Sequence, residues 1–263
     1  MTPVRTRIAA AVVGVGLVVA APAAAWAGPF RSGSTTPTTS SSTLSASTLE
    51  ALRTKCLAAI DVRLPALAEA KADVAANQHV TDDHRAALTA DIDATTARLQ
   101  TLSDEIKADS NLATLRDHCR SIFLDNRVYA LVLPRTRLVV GADTATAAGA
   151  KLSDVADKLA AAIDKAEAAG REVTQAKADL AAMKAQIAAG TGAAGTVAGA
   201  ILGLTPADWN ANHDVLQPAR QSLLTARADL RLARDLAVKI RNELKPPAGA
   251  APTSPAPTGS PQA

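Results

Sequence analysis

The sequence predicts an all-α fold: an elongated antiparallel helical bundle of coiled-coil-like hairpins, with one disulfide between Cys56 and Cys119. Three observations predict it. No glycine or proline interrupts residues 66–133. Apolar side chains recur at steps of three and four through most of the chain. The positions between them are filled by alanine and long charged residues, which lose little rotamer freedom in a helix.

The ends of the chain differ from its middle. Arg5 and Arg7 precede an apolar run over residues 8–20, Pro22 follows, and Ala25, Trp26 and Ala27 form a small-residue cleavage pattern. Residues 1–27 therefore read as a signal peptide, which places the chain outside the cytoplasm, secreted or at the cell envelope. The alternative is an uncleaved anchor, since the apolar run approaches the roughly 20 residues that span a bilayer. Residues 28–43, rich in Ser, Thr and Pro, and residues 246–263, with six prolines among Ala, Gly, Ser and Thr, hold too few apolar side chains to offset the entropy of ordering. They are expected to be a disordered linker and a disordered tail around a helical domain at residues 44–245. After cleavage no stable membrane span is expected.

The helices follow in order. Leu49, Leu52, Cys56 and Ala59 open the first, with Thr48 as its N-cap and continuation through Leu64, Leu67 and Val74; Pro65 should kink it. The second starts at the N-cap Thr81 and runs to about residue 108 on the stripe Leu88, Ile92, Thr95, Leu99, Leu102 and Ile106. The third begins near Asn111, carries Leu112, Leu115, Cys119 and Ile122, and is expected to keep Tyr129 on the same side until Pro134 interrupts it. Residues 127–133 are also the best strand candidate in the chain; helix is preferred because the three-four step continues. A fourth helix places Leu138, Ala145, Ala148, Leu152, Val155, Leu159 and Ile163 inward and ends at Gly170. The fifth carries Val173, Leu180, Met183 and Ile187 and is expected to dissolve into a hinge at Gly190, Gly192 and Gly195. A short apolar piece over residues 197–204 follows. Thr205 and Pro206 then start a short helix, and Pro218 opens a last long one on Leu223, Ala226, Leu230, Ala233, Ala237, Ile240 and Leu244.

Both cysteines stand on apolar stripes, which fixes the first helix against the third with the second folded back between. In an exported chain with an even cysteine count a disulfide is expected, and two thiols alone cannot complete a zinc site. The same helical seams serve within one chain or between chains, so the oligomeric state stays open.

Catalytic motifs are not found. Gly190, Gly192 and Gly195 match G-x-G-x-x-G, but that dinucleotide fingerprint needs a preceding strand, and a helical stripe stands there. His79, Asp82, Asp83 and His84 cluster at a turn without a well-spaced further ligand. His213 reads as part of a local cap. No metal, no cofactor and no enzymatic activity are expected. The leader holds two arginines and no acid, so the remainder carries a net charge of +1 rather than the +3 of the whole chain. That balance and the scarcity of aromatics argue against nucleic acid as a partner.

The most organised surface feature is in the last helix. Arg220, Arg227, Arg234 and Arg241 recur every seven residues, beside Arg231 and Lys245. One reading is a stripe for an anionic partner, such as a phosphate-rich envelope polymer or a membrane surface. The other, preferred at this stage, is that these side chains cover the seam and pair with carboxylates such as Asp157 or Asp164.

The run Asp125-Asn126-Arg127-Val128-Tyr129-Ala130-Leu131-Val132-Leu133-Pro134, the segment Leu204-Thr205-Pro206-Ala207-Asp208-Trp209-Asn210, and Pro218-Ala219-Arg220 resemble a group of secreted, Ala-rich helical proteins of high-GC Gram-positive bacteria. The resemblance implies the compartment and the fold and brings no catalytic residue with it. The expected function is a secreted non-enzymatic helical module that binds or spaces a cell-envelope component or another protein. The alternative is a carrier that admits a lipid or other amphiphile by parting its helices, with residues 127–140 as apolar wall and the glycines as hinge.

Overall fold

The computed structural model describes residues 40–245, with side chains from residue 46. The leader, residues 28–39 of the linker and the tail at 246–263 lie outside the described residues. Among the described residues the structure is helical throughout, without strands. Its helices are α1 (Ser40–Asp61), α2 (Arg63–Ala76), α3 (Asp82–Ala108), α4 (Leu112–Leu124), a π-helical turn (Val128–Val132), α5 (Leu133–Ala168), α6 (Thr174–Ile201), α7 (Pro206–Ala211) and α8 (Gln217–Glu243).

The first half packs α1 and α2 against the α3–α4 hairpin. Its core is Ile60, Leu67, Ile92, Leu99, Leu102, Ile106, Leu115 and Ile122, with Cys56 and Cys119 among them. The two cysteines are disulfide-bonded, their Cα atoms 5.5 Å apart, so α1 is tied to α4 as their stripe positions require. Every residue of the predicted α3 stripe is buried, and the Thr81 hydroxyl accepts from the His84 amide at its start. Thr95 is the polar member of that stripe, and its hydroxyl accepts from Arg98.

α1 begins at Ser40, so Thr48 lies inside the helix rather than at its cap, and the helical domain starts earlier than residue 44. The break attributed to Pro65 falls at Val62. Proline supplies no amide for the carbonyl four residues back, that of Asp61, and its ring crowds that carbonyl. Two side chains take up carbonyls at the break: Arg63 donates to Ala59, and the Tyr129 hydroxyl donates to Val62 at 2.8 Å. Tyr129 is therefore exposed at the surface of this joint, not on the buried side of the third helix.

The third helix also ends sooner than its periodicity predicts. α4 stops at Leu124, and Arg127 adopts a left-handed conformation with φ of 39°. Asn210 of α7 holds the joint: its amide donates to the Leu124 carbonyl at 3.0 Å, and its oxygen accepts from Arg127 Nε at 2.6 Å. The π-helical turn follows and runs directly into α5, so Pro134 interrupts nothing and sits in the first turn. The carbonyl of Ala130 has no amide at Pro134 to accept from, and the wider π winding lies there. Residues 127–133 are thus helical, not a strand.

In the second half α5 and α8 run parallel, with α6 antiparallel to both. Ile163, Val173, Met183, Ile187, Ala233 and Ile240 form one end of the core, and Val139, Ala142, Ala194, Val197, Ile201, Leu223 and Ala226 the other. α5 turns off at Gly170 (φ 73°), where the Arg171 amide reaches the Ala166 carbonyl at 3.0 Å, a left-handed helix ending. The Arg171 guanidinium then binds the carbonyls of Glu243, Leu244 and Lys245, which pins the end of α8 to this turn. Along α5 the predicted stripe faces the core at Leu138, Ala145, Leu152, Leu159 and Ile163, whereas Ala148 and Val155 are exposed and Gly149 and Ala156 are buried beside them.

The expected hinge is absent. α6 continues through Gly190, Gly192 and Gly195 and takes up residues 197–201 as its last turns. Two glycines explain why this helix is built so. A Cβ on Gly149 would stand 2.2 Å from Thr191 Cγ2, and one on Gly190 would stand 2.9 Å from Leu230 and 3.1 Å from the Ala226 carbonyl. The helices approach too closely there for any side chain, and interhelical packing offsets the helix propensity that glycine lacks.

Two stability predictions follow from this packing. Replacing both cysteines with alanine opens a loop spanning 63 positions, and urea unfolding should show a loss on the order of 4 kcal/mol in the chain-entropy account. Gly149→Ala should lower stability by about 1–3 kcal/mol through overpacking against Thr191, whereas Gly192→Ala, which meets nothing within 4 Å, should raise it by up to about 1 kcal/mol through propensity. A stabilising Gly149→Ala in thermal unfolding would contradict the close approach.

Candidate functional site

α8 has two faces. Ala219, Leu223, Ala226, Leu230, Ala233 and Ile240 are buried. About 100° round the helix, next to this buried face, Arg220, Leu224, Arg227, Arg231, Arg234, Val238, Arg241 and Lys245 follow at alternating steps of four and three, and all are exposed. Leu224 and Val238 are 57% and 43% exposed, so the stripe mixes six cations with two open apolar side chains.

The carboxylates named as partners do not meet it. Asp157 pairs with Lys184 at 3.5 Å. Arg234 pairs only with Asp235, its own exposed neighbour, at 2.9 Å. Among the described residues Arg220, Arg227, Arg231 and Arg241 form no ion pair with any carboxylate. Arg227 lies over the seam at Gly141, but the pairing with carboxylates expected from the sequence is corrected here. The reason lies in the α5–α6–α8 packing, which puts Asp157 beside α6 rather than α8.

Beside the stripe a cleft of about 590 Å³ runs between α5 and α8. The α5 wall steps through Gly141, Ala145, Ala148 and Leu152, three small residues followed by one large, at spacings of four, three and four. Small side chains at these positions leave the trough, and Leu230 closes it from α8. Lys151, Arg227, Arg231 and Arg234 stand around it.

A second cleft, of about 510 Å³, lies between α2 and α5 and shares Gly141 and Arg227 with the first. A Cβ on Gly141 would stand 3.1 Å from an Arg227 guanidinium nitrogen, so Arg227 lies over this glycine at the junction. The second cleft differs in charge, with Glu69 and Asp73 on its α2 side and Arg137 on α5.

Three of the four histidines have structural partners. His84 Nδ1 lies 2.9 Å from both carboxyl oxygens of Asp143, and the Thr81 amide donates to the same carboxylate. This buried Asp143 anchors the start of α3 to α5. His118 binds Asp109 at 2.9 Å, and His213 packs at 5.7 Å from the Trp209 ring. Among the described residues no group of three His, Cys, Asp or Glu side chains is placed to hold a metal ion.

Buried Arg135 joins three elements. It pairs with Asp91 of α3 and donates to the Leu202 and Leu204 carbonyls beyond α6. Sequence reasoning passed over it, although a charge inside the largely apolar run from residue 131 to 140, whose only charged residues are Arg135 and Arg137, is a signal that such a group needs partners. Arg63 was likewise missed: its guanidinium lies 4.6 Å and 5.3 Å from the Phe123 and Tyr129 ring centroids, and burial lowers its pKa.

α8 is also held by charge. The nearly buried Asp179 of α6 lies 2.7 Å from Lys239. The Lys239 hydrogen bond holds the Asp179 carboxyl below its ordinary 3.8 against the opposing effect of desolvation, and the same bond raises Lys239 above 10.5. The lowered acid contributes stability that is present above 3.8 and lost as pH falls through its folded value. The raised base contributes stability that is present below 10.5 and lost as pH rises through its folded value. Melting temperatures taken across pH should therefore show Asp179→Asn destabilised at neutral pH, with the gap closing at both extremes. A gap independent of pH would mean that shape, not charge, holds this contact.

In comparisons with known proteins no family model matches the chain, and no curated protein or solved structure is detectably similar to it.

Proposed function

We propose that this chain is an exported, non-catalytic binding module that docks along α8 on an anionic, phosphate-rich polymer of the cell envelope. The observation that carries this reading is the set of six exposed cations at three-four spacing, of which all but Arg234 have no carboxylate partner among the described residues. From Arg220 to Lys245 the stripe extends roughly 38 Å at 1.5 Å per residue, enough to follow a linear polyanion. A polymer suits it better than a bilayer, because the stripe itself holds only two apolar side chains, Leu224 and Val238, and the exposed Leu232 points about 100° away from it. The disulfide agrees with an oxidising compartment, as do the leader and the resemblance to secreted helical proteins. No described helix is long and apolar enough to cross a membrane.

The carrier alternative loses its hinge, because α6 is continuous through the three glycines.

Fluorescence anisotropy with labelled inorganic polyphosphate tests the reading. Affinity should fall steeply as ionic strength rises from about 0.01 to about 0.15 M, over which the screening length shortens from about 30 Å to about 8 Å. Substituting Gln at Arg220, Arg227, Arg234 and Arg241 together should weaken low-salt binding by at least about tenfold while circular dichroism stays unchanged. Equal binding by the folded quadruple variant would remove α8 as the docking face.

A further inference from the structure

The cleft between α5 and α8 has a chemistry that polymer docking leaves unused. Its floor is apolar, made by Ala145, Ala148, Leu152 and Leu230, while Lys151, Arg227, Arg231 and Arg234 stand around it and no carboxylate lines it. A polyanion needs the cations and has no use for the floor. A free inorganic anion likewise gains nothing from apolar walls. A ligand that satisfies both has an anionic head and a hydrocarbon chain, and the cleft volume of about 590 Å³ falls within the roughly 300–1,000 Å³ typical of small-molecule sites.

We propose that this cleft binds one single-chain anionic amphiphile, with its phosphate or carboxylate head on Arg227, Arg231 and Lys151 and its chain along Ala145, Ala148 and Leu152. Arg234 is shared with Asp235 and supports the head from the rim. Beyond Gly141 the adjoining cleft carries Glu69 and Asp73 as well as Arg137, so an anionic head is better served in the α5–α8 cleft, which no carboxylate lines. The site requires no parting of helices: the trough is open because α5 presents Gly141, Ala145 and Ala148 where larger side chains would fill it, and Ala148 and part of Leu152 remain accessible. It differs in this from a carrier that opens along α6.

The inference shares cations with the polymer-docking reading but depends on the floor, so the two fail separately. Calorimetric titration of the full chain with monododecyl phosphate below its micellar concentration should show one site per chain. Its affinity should be at least about tenfold above that for dodecyl maltoside, which lacks the charge, and for inorganic phosphate, which lacks the chain. Ala148→Trp fills the floor at an exposed position and keeps every cation. It should weaken dodecyl phosphate by about tenfold or more while leaving polyphosphate binding intact; Thr144→Trp, at another exposed position of the same cleft, serves if the first variant unfolds. Arg231→Gln should weaken dodecyl phosphate and leave dodecyl maltoside unchanged. Dodecyl phosphate binding no tighter than the maltoside, or undiminished in the folded tryptophan variants, would overturn the proposal. Loss of polyphosphate binding alone would count against the docking reading and leave this one standing.

Discussion

The close approach of α6 to α5 and α8 at Gly149 and Gly190 governs the second half of the molecule. Thr191 Cγ2 occupies the space of a side chain on Gly149, and Leu230 and the Ala226 carbonyl crowd Gly190, so this rotational setting of the three helices requires glycine at both positions. That setting turns Ala219, Leu223, Ala226, Leu230 and Ala233 inward and leaves Arg220, Arg227, Arg231, Arg234 and Arg241 outward. It also sets α5 so that Gly141, Ala145 and Ala148 line an open trough. Charge and cleft are thus consequences of the same small-residue seam.

Seams of this kind bury little area per residue, so other ties carry a larger share of the fold's definition. In the first half the disulfide joins α1 to α4. Between the halves, His84 and Asp143 join α3 to α5, and Arg135 joins α3 and the end of α6 to α5. At the far end Arg171 and the Asp179–Lys239 pair hold α8 against the α5–α6 turn. Apart from the disulfide, each tie matches a charge or donor on one element with free carbonyls or a carboxylate on another, as buried polar groups require.

The sequence made some of this plain and concealed the rest for definite reasons. The α3 stripe, the cap at Thr81, the start of the next helix near Asn111, the Thr205–Pro206 start of α7 and the cysteine pairing were legible because each depends on local spacing or local hydrogen bonding. The end of α4 was not, because Asn210, distant in sequence, stabilises it; Asp125 and Asn126 were the available signals for a helix end. The glycines of α6 read as a hinge because only tertiary packing shows what stands opposite them. For the candidate site, the arginine repeat was visible as a pattern, but the carboxylates that face α8 are set by helix rotation, and the cleft beside it depends on which small residues of α5 are left uncovered.

Hydrogen exchange of the α6 backbone is the most direct test of the seam on which this account stands. The amides of residues 190–198 should be protected to the same degree as those of residues 226–233 in α8, since both segments open only when the three helices separate. Exchange of residues 190–198 at the rate of an open loop, with α8 still protected, would show a hinge in place of the seam and would remove the basis for the orientation of α8.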